Sequence, residues 1–346
     1  MSPDSTATAI AAAFNSVGLP VFSVIDHAGL TGLARAADVA AVERYGLLAS
    51  SGAVVAAFPY DPRNREISPE IETGSETESE TEPGAAGPPP FARIGAFAAW
   101  NRYAALTRLL LGAGRLLAAQ SGLPAKGFRA IVNSRLPEKR LAVLAGLGFV
   151  GRSSLVVTKA YGPACLLGAL LLPPDFPVPE DSQVSSPELD AAVLETSLLP
   201  GSGCGTCQAC VDACPGRALA ADGTGILLEH CIQYWSTRAG AVPDPLLPVW
   251  GPRLYGCDEC VAACPRSSGA WSTDSLGTSP AERADGLFLP AERRPGRFVS
   301  VPYLETAGDN ELEIFFRKTA LGLSWMGLDE FRRNARLARA SSSIGI

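Results

Sequence analysis

Along the first half of the chain the apolar positions switch repeatedly between helical and strand spacing. An alanine-rich opening helix leads to a short buried strand over 18–26, Gly-Leu-Pro-Val-Phe-Ser-Val-Ile-Asp. Helical spacing over about 31–44 precedes a second strand, Gly52 to Tyr60. From Ile94 to Ser121 apolar residues recur every three or four positions, which predicts one long helix. Phe128 to Val132 reads as a strand and Pro137 to Leu147 as a helix with its proline in the first turn. Two apolar runs follow, Leu155 to Thr158 and Cys165 to Leu172, joined by a turn at Tyr161-Gly-Pro163. Strands alternating with helices predict an α/β domain over residues 1–172.

Two stretches break this pattern and set the organisation. Residues 61–90 are rich in Ser, Thr, Pro, Gly and Glu, an acidic insertion expected to be disordered. Residues 173–200 form a Pro/Ser/Glu-rich linker to a cysteine-dense segment over 201–270. Beyond it, in residues 271–346, Ser267 to Phe298 is loop-like and Glu311 to Ala340 reads as helical.

Charge looks at first unfavourable to a nucleic-acid partner, since the formal net charge is −6. Seven glutamates between Glu66 and Glu82 account for more than all of it. The acidity therefore belongs to the insertion, and charge neither supports nor excludes RNA. No apolar run approaches the ~20 residues of a membrane helix. No basic stretch precedes the opening alanines, so no signal peptide is expected. With cysteines spaced for metal rather than disulfides, the expectation is a cytoplasmic protein.

Eight of the nine cysteines define the chemistry. Cys204-Gly-Thr-Cys207-Gln-Ala-Cys210-Val-Asp-Ala-Cys214-Pro215 reads C-x2-C-x2-C-x3-C-P, the bacterial ferredoxin run for [4Fe–4S] clusters. Cys257-Asp-Glu-Cys260-Val-Ala-Ala-Cys264-Pro265 repeats its ending without a first ligand, and Cys231 is the candidate to complete it. In two-cluster proteins the fourth cysteine of a run serves the other cluster. That assigns Cys204, Cys207, Cys210 and Cys264 to one cubane, and Cys214, Cys231, Cys257 and Cys260 to the other. The alternative is a pair of four-cysteine zinc sites, because paired C-x2-C is also zinc spacing. Cys165 is left over in an apolar run, as a small buried hydrophobe. The only histidines are His27 and His230, so histidine-based acid–base or zinc chemistry has little material.

Gly146-Leu-Gly148-Phe-Val-Gly151 matches the dinucleotide fingerprint G-x-G-x-x-G, but it follows a helix and precedes a strand, the reverse of the required order. Those glycines are expected instead to let the backbone turn or approach another group closely.

Further stretches carry a family resemblance. Ala145-Gly-Leu-Gly-Phe-Val-Gly-Arg-Ser-Ser-Leu155, Cys231-Ile-Gln-Tyr234, Tyr255-Gly-Cys-Asp-Glu-Cys260 and Phe331-Arg-Arg-Asn-Ala335 resemble segments of the epoxyqueuosine reductases, in that family's order. The match spans about 18–60 and 91–340 and is strongest over 138–265. The resemblance implies an α/β corrin-binding domain, a ferredoxin-like domain with two [4Fe–4S] clusters, and C-terminal helices. It implies a cobalamin-dependent iron–sulfur reductase that takes epoxyqueuosine in tRNA to queuosine, fed by a donor such as flavodoxin or ferredoxin. A reductase of another substrate, or a two-cluster electron-transfer protein, are the other readings.

Site residues follow from the resemblance, with departures. Asn133, in Val132-Asn-Ser134, stands where the family carries an aspartate thought to donate a proton; an amide cannot titrate. Glu138 is the candidate replacement acid, against a plain helix-start carboxylate. Arg152 replaces a lysine able to neutralise a phosphate. Val156 and Leu167 match positions whose backbone approaches the corrin, although ordinary strand core explains them equally. The C-I-S-Y of the family is C-I-Q-Y here, and D-Y-H is Arg102-Tyr103-Ala104. Tyr234 and Trp235 are expected to pack beside a cluster. Arg293, Arg294 and Arg297, with Arg332, Arg333, Arg336 and Arg339, are candidates to meet phosphate.

Overall fold

The computed structural model describes residues 3–34, 39–63, 91–178, 196–270, 272, 297–317, 319–322 and 326–342. Most of the acidic insertion and of the linker, and Arg293 and Arg294, lie outside the described residues. In chain order the strands are β1 (Phe22–Asp26), β2 (Gly52–Pro59), β3 (Phe91–Ile94), β4 (Arg129–Val132), β5 (Gly148–Val150), β6 (Val156–Thr158), β7 (Cys165–Leu172), β8 (Arg253–Tyr255) and β9 (Phe298–Ser300).

The first four-stranded sheet runs β1-β2-β7-β4, and every neighbouring pair in it is antiparallel. All eight residues of β2 are buried, because helices cover both faces. Strand periodicity divides them: Val54, Ala56 and Phe58 join one core with the helices Pro3–Ser16 and Arg102–Ser121. Ala53 and Val55 join the opposite core with Leu30, Leu33 and Leu141. A Cβ on Gly168 would sit about 3.0 Å from Leu106, Leu110 and Val132 atoms, so its absence lets the long helix lie close on β7. The α/β expectation for this part of the chain holds.

The predicted helix from Ile94 is shorter at its start. Ile94 ends β3, and the helix begins at Arg102, where the Asn101 side chain accepts a hydrogen bond from the Ala104 N–H. Strand β3 lies in a second sheet, parallel to β8 and antiparallel to β9. Such pairing across more than 150 residues leaves no local signal. Residues 311–340 likewise form two helices rather than one, Asp309–Phe316 and Leu328–Ser342, parted by a segment holding Gly322 and Gly327. Phe316, Phe331, Ala335 and Ala338 from this end bury against Leu254 and Val299.

The G-x-G-x-x-G run is the start of the β5–β6 hairpin. Gly146 has φ +75°, and a Cβ on Gly148 would collide with the Val157 carbonyl. These are the turning and close-approach roles expected of them. Among the described residues, no helix is long and apolar enough to cross a membrane.

Candidate functional site

The two cysteine runs fold alike. Each places its second-last cysteine in a four-residue helix, Ala209–Asp212 or Glu259–Ala262, that ends just before its last cysteine, and the two helices pack together. This crosses the runs over. The Cys210 thiol is pushed up by burial and then by Cys204, Cys264 and Cys207. Cys264 is raised by burial and then by Cys204 and Cys207. Cys260 is raised by burial and then by Cys257, Cys231, Cys210 and Cys214, and Cys231 by burial and then by Cys214. The last cysteine of each run thus keeps company with the other run.

The groups differ in exposure. Cys207 is exposed and sits in an open loop, whereas burial lifts Cys257 to about 11. Arg152 donates to the carbonyls of Gly205, at 2.9 Å, and Ala221, at 2.8 Å. Arg266 reaches the Gly203 carbonyl and lies over the Phe149 ring. A Cβ on Gly151 would lie 3.7 Å from Cys204 Sγ, so this glycine brings the hairpin against the first cysteine loop. The second loop is held by charge instead. Asp258 is buried, pairs with Arg297 at 2.9 Å and accepts the Ala96 N–H at 2.7 Å. Glu259 pairs with Arg93 and Arg253. Those arginines come from β3 and β8, and Arg297 directly precedes β9, so the second sheet clamps this loop.

Between the second cysteine group and the α/β part lies a cavity of about 300 Å³. Cys214, Cys231, Cys257 and Cys260 line one side, with Gln233 and Glu259. Tyr60, Phe97, Tyr103, Leu155, Cys165 and Leu166 line the other. Burial pushes the Tyr103 phenol up to about 12, with the nearby Glu138 carboxylate adding to it. Glu138 accepts the Ser134 N–H at 2.7 Å, yet burial dominates and raises its pKa. Glu138 therefore lies near the cavity wall, at the first turn of its helix, and keeps its proton to higher pH than an ordinary carboxylate.

The other sequence candidates fall differently. Asn133 is exposed at the end of β4 with φ +51°, a left-handed conformation that Asn tolerates better than most residues. Arg152 grips the first cysteine loop rather than the cavity. Val156 is buried in core with Ile131 and Leu141, and Leu167 packs beside that core; neither lines the cavity, whose neighbouring lining residues are Leu155 and Leu166. Cys165 is half-buried and lines the cavity, rather than serving only as core filler. Tyr234 and Trp235 pack edge to face. Most of the arginines considered for phosphate serve the fold. Arg297 pairs with Asp258, Arg332 with Asp309 and Arg339 with Glu305. Arg333 donates to the carbonyls of Trp235, Arg238 and Gly240, and only Arg336 is simply exposed among those of the last helix whose bonds are described. Tyr60, Gln233 and Tyr255 were not singled out as site residues; their apolar or motif context carries no catalytic signal.

Residues 203–267 match the family model of the 4Fe-4S double cluster binding domain. The cysteine segment is therefore a double-cluster iron–sulfur domain, set against an α/β domain. Among the curated proteins similar to it are epoxyqueuosine reductases, covered over part of their length. An epoxyqueuosine reductase of Pseudomonas aeruginosa is 34% identical over 205 residues, 57% of this chain and 51% of that one. One from Staphylococcus aureus is 31% identical over 224 residues, 64% of this chain and 50% of that one. A solved epoxyqueuosine reductase from Streptococcus thermophilus superposes with a TM-score of 0.64 at 18% identity, covering 96% of this chain and 80% of that one. Another, with an epoxyqueuosine-modified tRNA-Tyr stem loop, gives 0.64 at 20% identity, covering 98% and 81%. The chain is similar to the epoxyqueuosine reductases in sequence over these stretches and in fold throughout, and it spans about half the length of these curated relatives.

Proposed function

We propose that this chain is a cobalamin-dependent iron–sulfur reductase that removes the epoxide oxygen of epoxyqueuosine in tRNA. The observation that carries this reading is the cavity: four cysteines form one wall and the α/β domain forms the other. In this reading Cys204, Cys207, Cys210 and Cys264 hold one [4Fe–4S] cluster, and Cys214, Cys231, Cys257 and Cys260 hold the second. Their mutual electrostatic influence supports the partition. Among the described residues no three His, Cys, Asp or Glu side chains close on a point able to hold one metal ion.

The residues present fit a corrin in kind. The cavity offers apolar and aromatic walls, a buried amide oxygen without a partner, and direct access to the second cysteine group. Its volume is at the lower end of ligand pockets, so it takes part of a corrin and not all of it. When bound, cobalamin supplies a strongly nucleophilic low-valent cobalt for epoxide opening. The chain does the rest. Exposed Cys207 marks the side where a donor such as flavodoxin or ferredoxin passes electrons in, and half-buried Cys257 and Cys260 mark the side facing the cavity. Tyr60, Phe97 and Tyr103 exclude water from that side. Glu138, whose pKa burial raises, supplies the acid that Asn133 cannot. Overall, two electrons and two protons convert the epoxide to an alkene and water.

The test is turnover of tRNA carrying epoxyqueuosine by chain reconstituted anaerobically with iron, sulfide and cobalamin. Conversion to queuosine establishes the activity. Bound cobalamin without turnover points to a reductase of another substrate, a reading that Asn133 favours.

A further inference from the structure

Buried polar atoms are almost always paired, so an exception facing a cavity is informative. Several buried side-chain atoms have no hydrogen-bond partner among the described residues, and of those residues only Gln233 lines the cavity. The Tyr255 hydroxyl oxygen takes a hydrogen bond from the Gln233 side chain, which engages the nitrogen end of the amide. The oxygen, Oε1, is left buried and unpaired. Gln233 lies two residues beyond Cys231, on the wall that carries the second cysteine group. It also departs from the family's C-I-S-Y, where a serine is too short to reach as far.

We propose that Gln233 is a positioning residue for the corrin, its Oε1 accepting a hydrogen bond from an amide N–H on the corrin rim. The inference rests on the cobalamin reading above. A corrin rim carries primary amide side chains, so it offers the donor that a buried carbonyl oxygen lacks. The opposite wall carries hydroxyls on Tyr60 and Tyr103 as well as the apolar Leu155 and Leu166, yet none of them bonds to Oε1, and Tyr255 is already engaged on the far side of the amide. The bond would fix how the ring sits against the second cluster, a job the shorter serine would leave to other groups.

The experiment is an anaerobic absorbance titration of cluster-loaded protein with cobalamin, comparing the unaltered chain with Gln233→Met, Gln233→Ser and Tyr255→Phe. Met keeps the length and removes the acceptor. The expected result is about tenfold weaker cobalamin binding for Gln233→Met and Gln233→Ser, the scale of one buried hydrogen bond. Tyr255→Phe should bind within about twofold of the unaltered chain, because the acceptor remains. Iron content and the thermal transition are followed in parallel, so that a misfolded variant is recognised. A corrin whose rim amides are replaced by methyl esters gives a second readout that survives such a failure: it should lose most of the preference for the unaltered chain over Gln233→Met. Equal cobalamin affinity of Gln233→Met and the unaltered chain would overturn the role of Gln233 while leaving the cobalamin reading intact. No binding by the unaltered chain would overturn both. Equal loss in Tyr255→Phe would show that the amide only supports the wall, and would also overturn the inference.

Discussion

The two cysteine loops share a C-x2-C-x3-C-P ending but are fastened by different physics. The loop carrying Cys204 and Cys207 is open to solvent, and Arg152 and Arg266 hold it through neutral backbone carbonyls. The loop carrying Cys257 and Cys260 is half-buried, with Asp258 fully buried, and is clamped by carboxylate–guanidinium pairs reaching it from the second sheet. Burial works against both charges of the Asp258–Arg297 pair, raising the acid and lowering the arginine. Such a pair persists because each partner would be stranded without the other. The same motif therefore stands open to solvent in one place and forms a clamped inner wall in the other.

The largest effect expected from breaking this contrast is on metal content. Cys257→Ser should remove the inner cluster, cutting iron per folded chain by about half and keeping the outer cluster's visible absorption. Cys165→Ser, although it also faces the cavity, should leave iron content unchanged. Iron and sulfide analysis decides both.

Next comes the clamp. Asp258→Ala removes the buried carboxylate that pairs with Arg297 and should destabilise the cluster-loaded protein by about 3 kcal/mol in urea unfolding. Arg152→Ala loses hydrogen bonds at a half-exposed site and should cost only about 1 kcal/mol. Equal losses would mean that the two loops are not held differently.

A gentler test uses pH. Glu138 has a raised pKa because burial disfavours its charge. Its contribution to stability is present below the ordinary glutamate range and is lost as pH rises through the raised value. Turnover limited by its proton should fall over the same alkaline limb, and Glu138→Gln should lower the rate and remove that limb. An unchanged pH–rate profile in Glu138→Gln would assign the proton to another group. Asn133→Asp, by contrast, should add a second titrating group and raise turnover several-fold if a missing acid limits the rate.

Legibility followed sequence distance. The cysteine runs could be read because ligand spacing is local, and so could strands such as Gly52–Pro59, whose burial follows from a continuous apolar run. The pairing of Phe91–Ile94 with Arg253–Tyr255 was hidden, and with it the clamp, because neither partner carries a local signal for the other. Arg297 reads as a loose positive charge until its partner, 39 residues away, is seen. Val156 and Leu167 show a finer limit. Their strands could be found, but which residues of those strands line the cavity depends on partners distant in the chain. Gln233 stood out only as a departure from a motif, and its meaning depends on an oxygen whose isolation no sequence reveals.

The central claim is that the cavity brings a corrin against the inner cluster. The most direct measurement is electron paramagnetic resonance of cluster-loaded protein with one equivalent of cob(II)alamin, before and after partial reduction of the clusters. The account predicts that the cobalt signal broadens and relaxes faster once the inner cluster is reduced, and that Cys257→Ser abolishes the change. A cobalt signal identical to that of free cob(II)alamin in both states would contradict it.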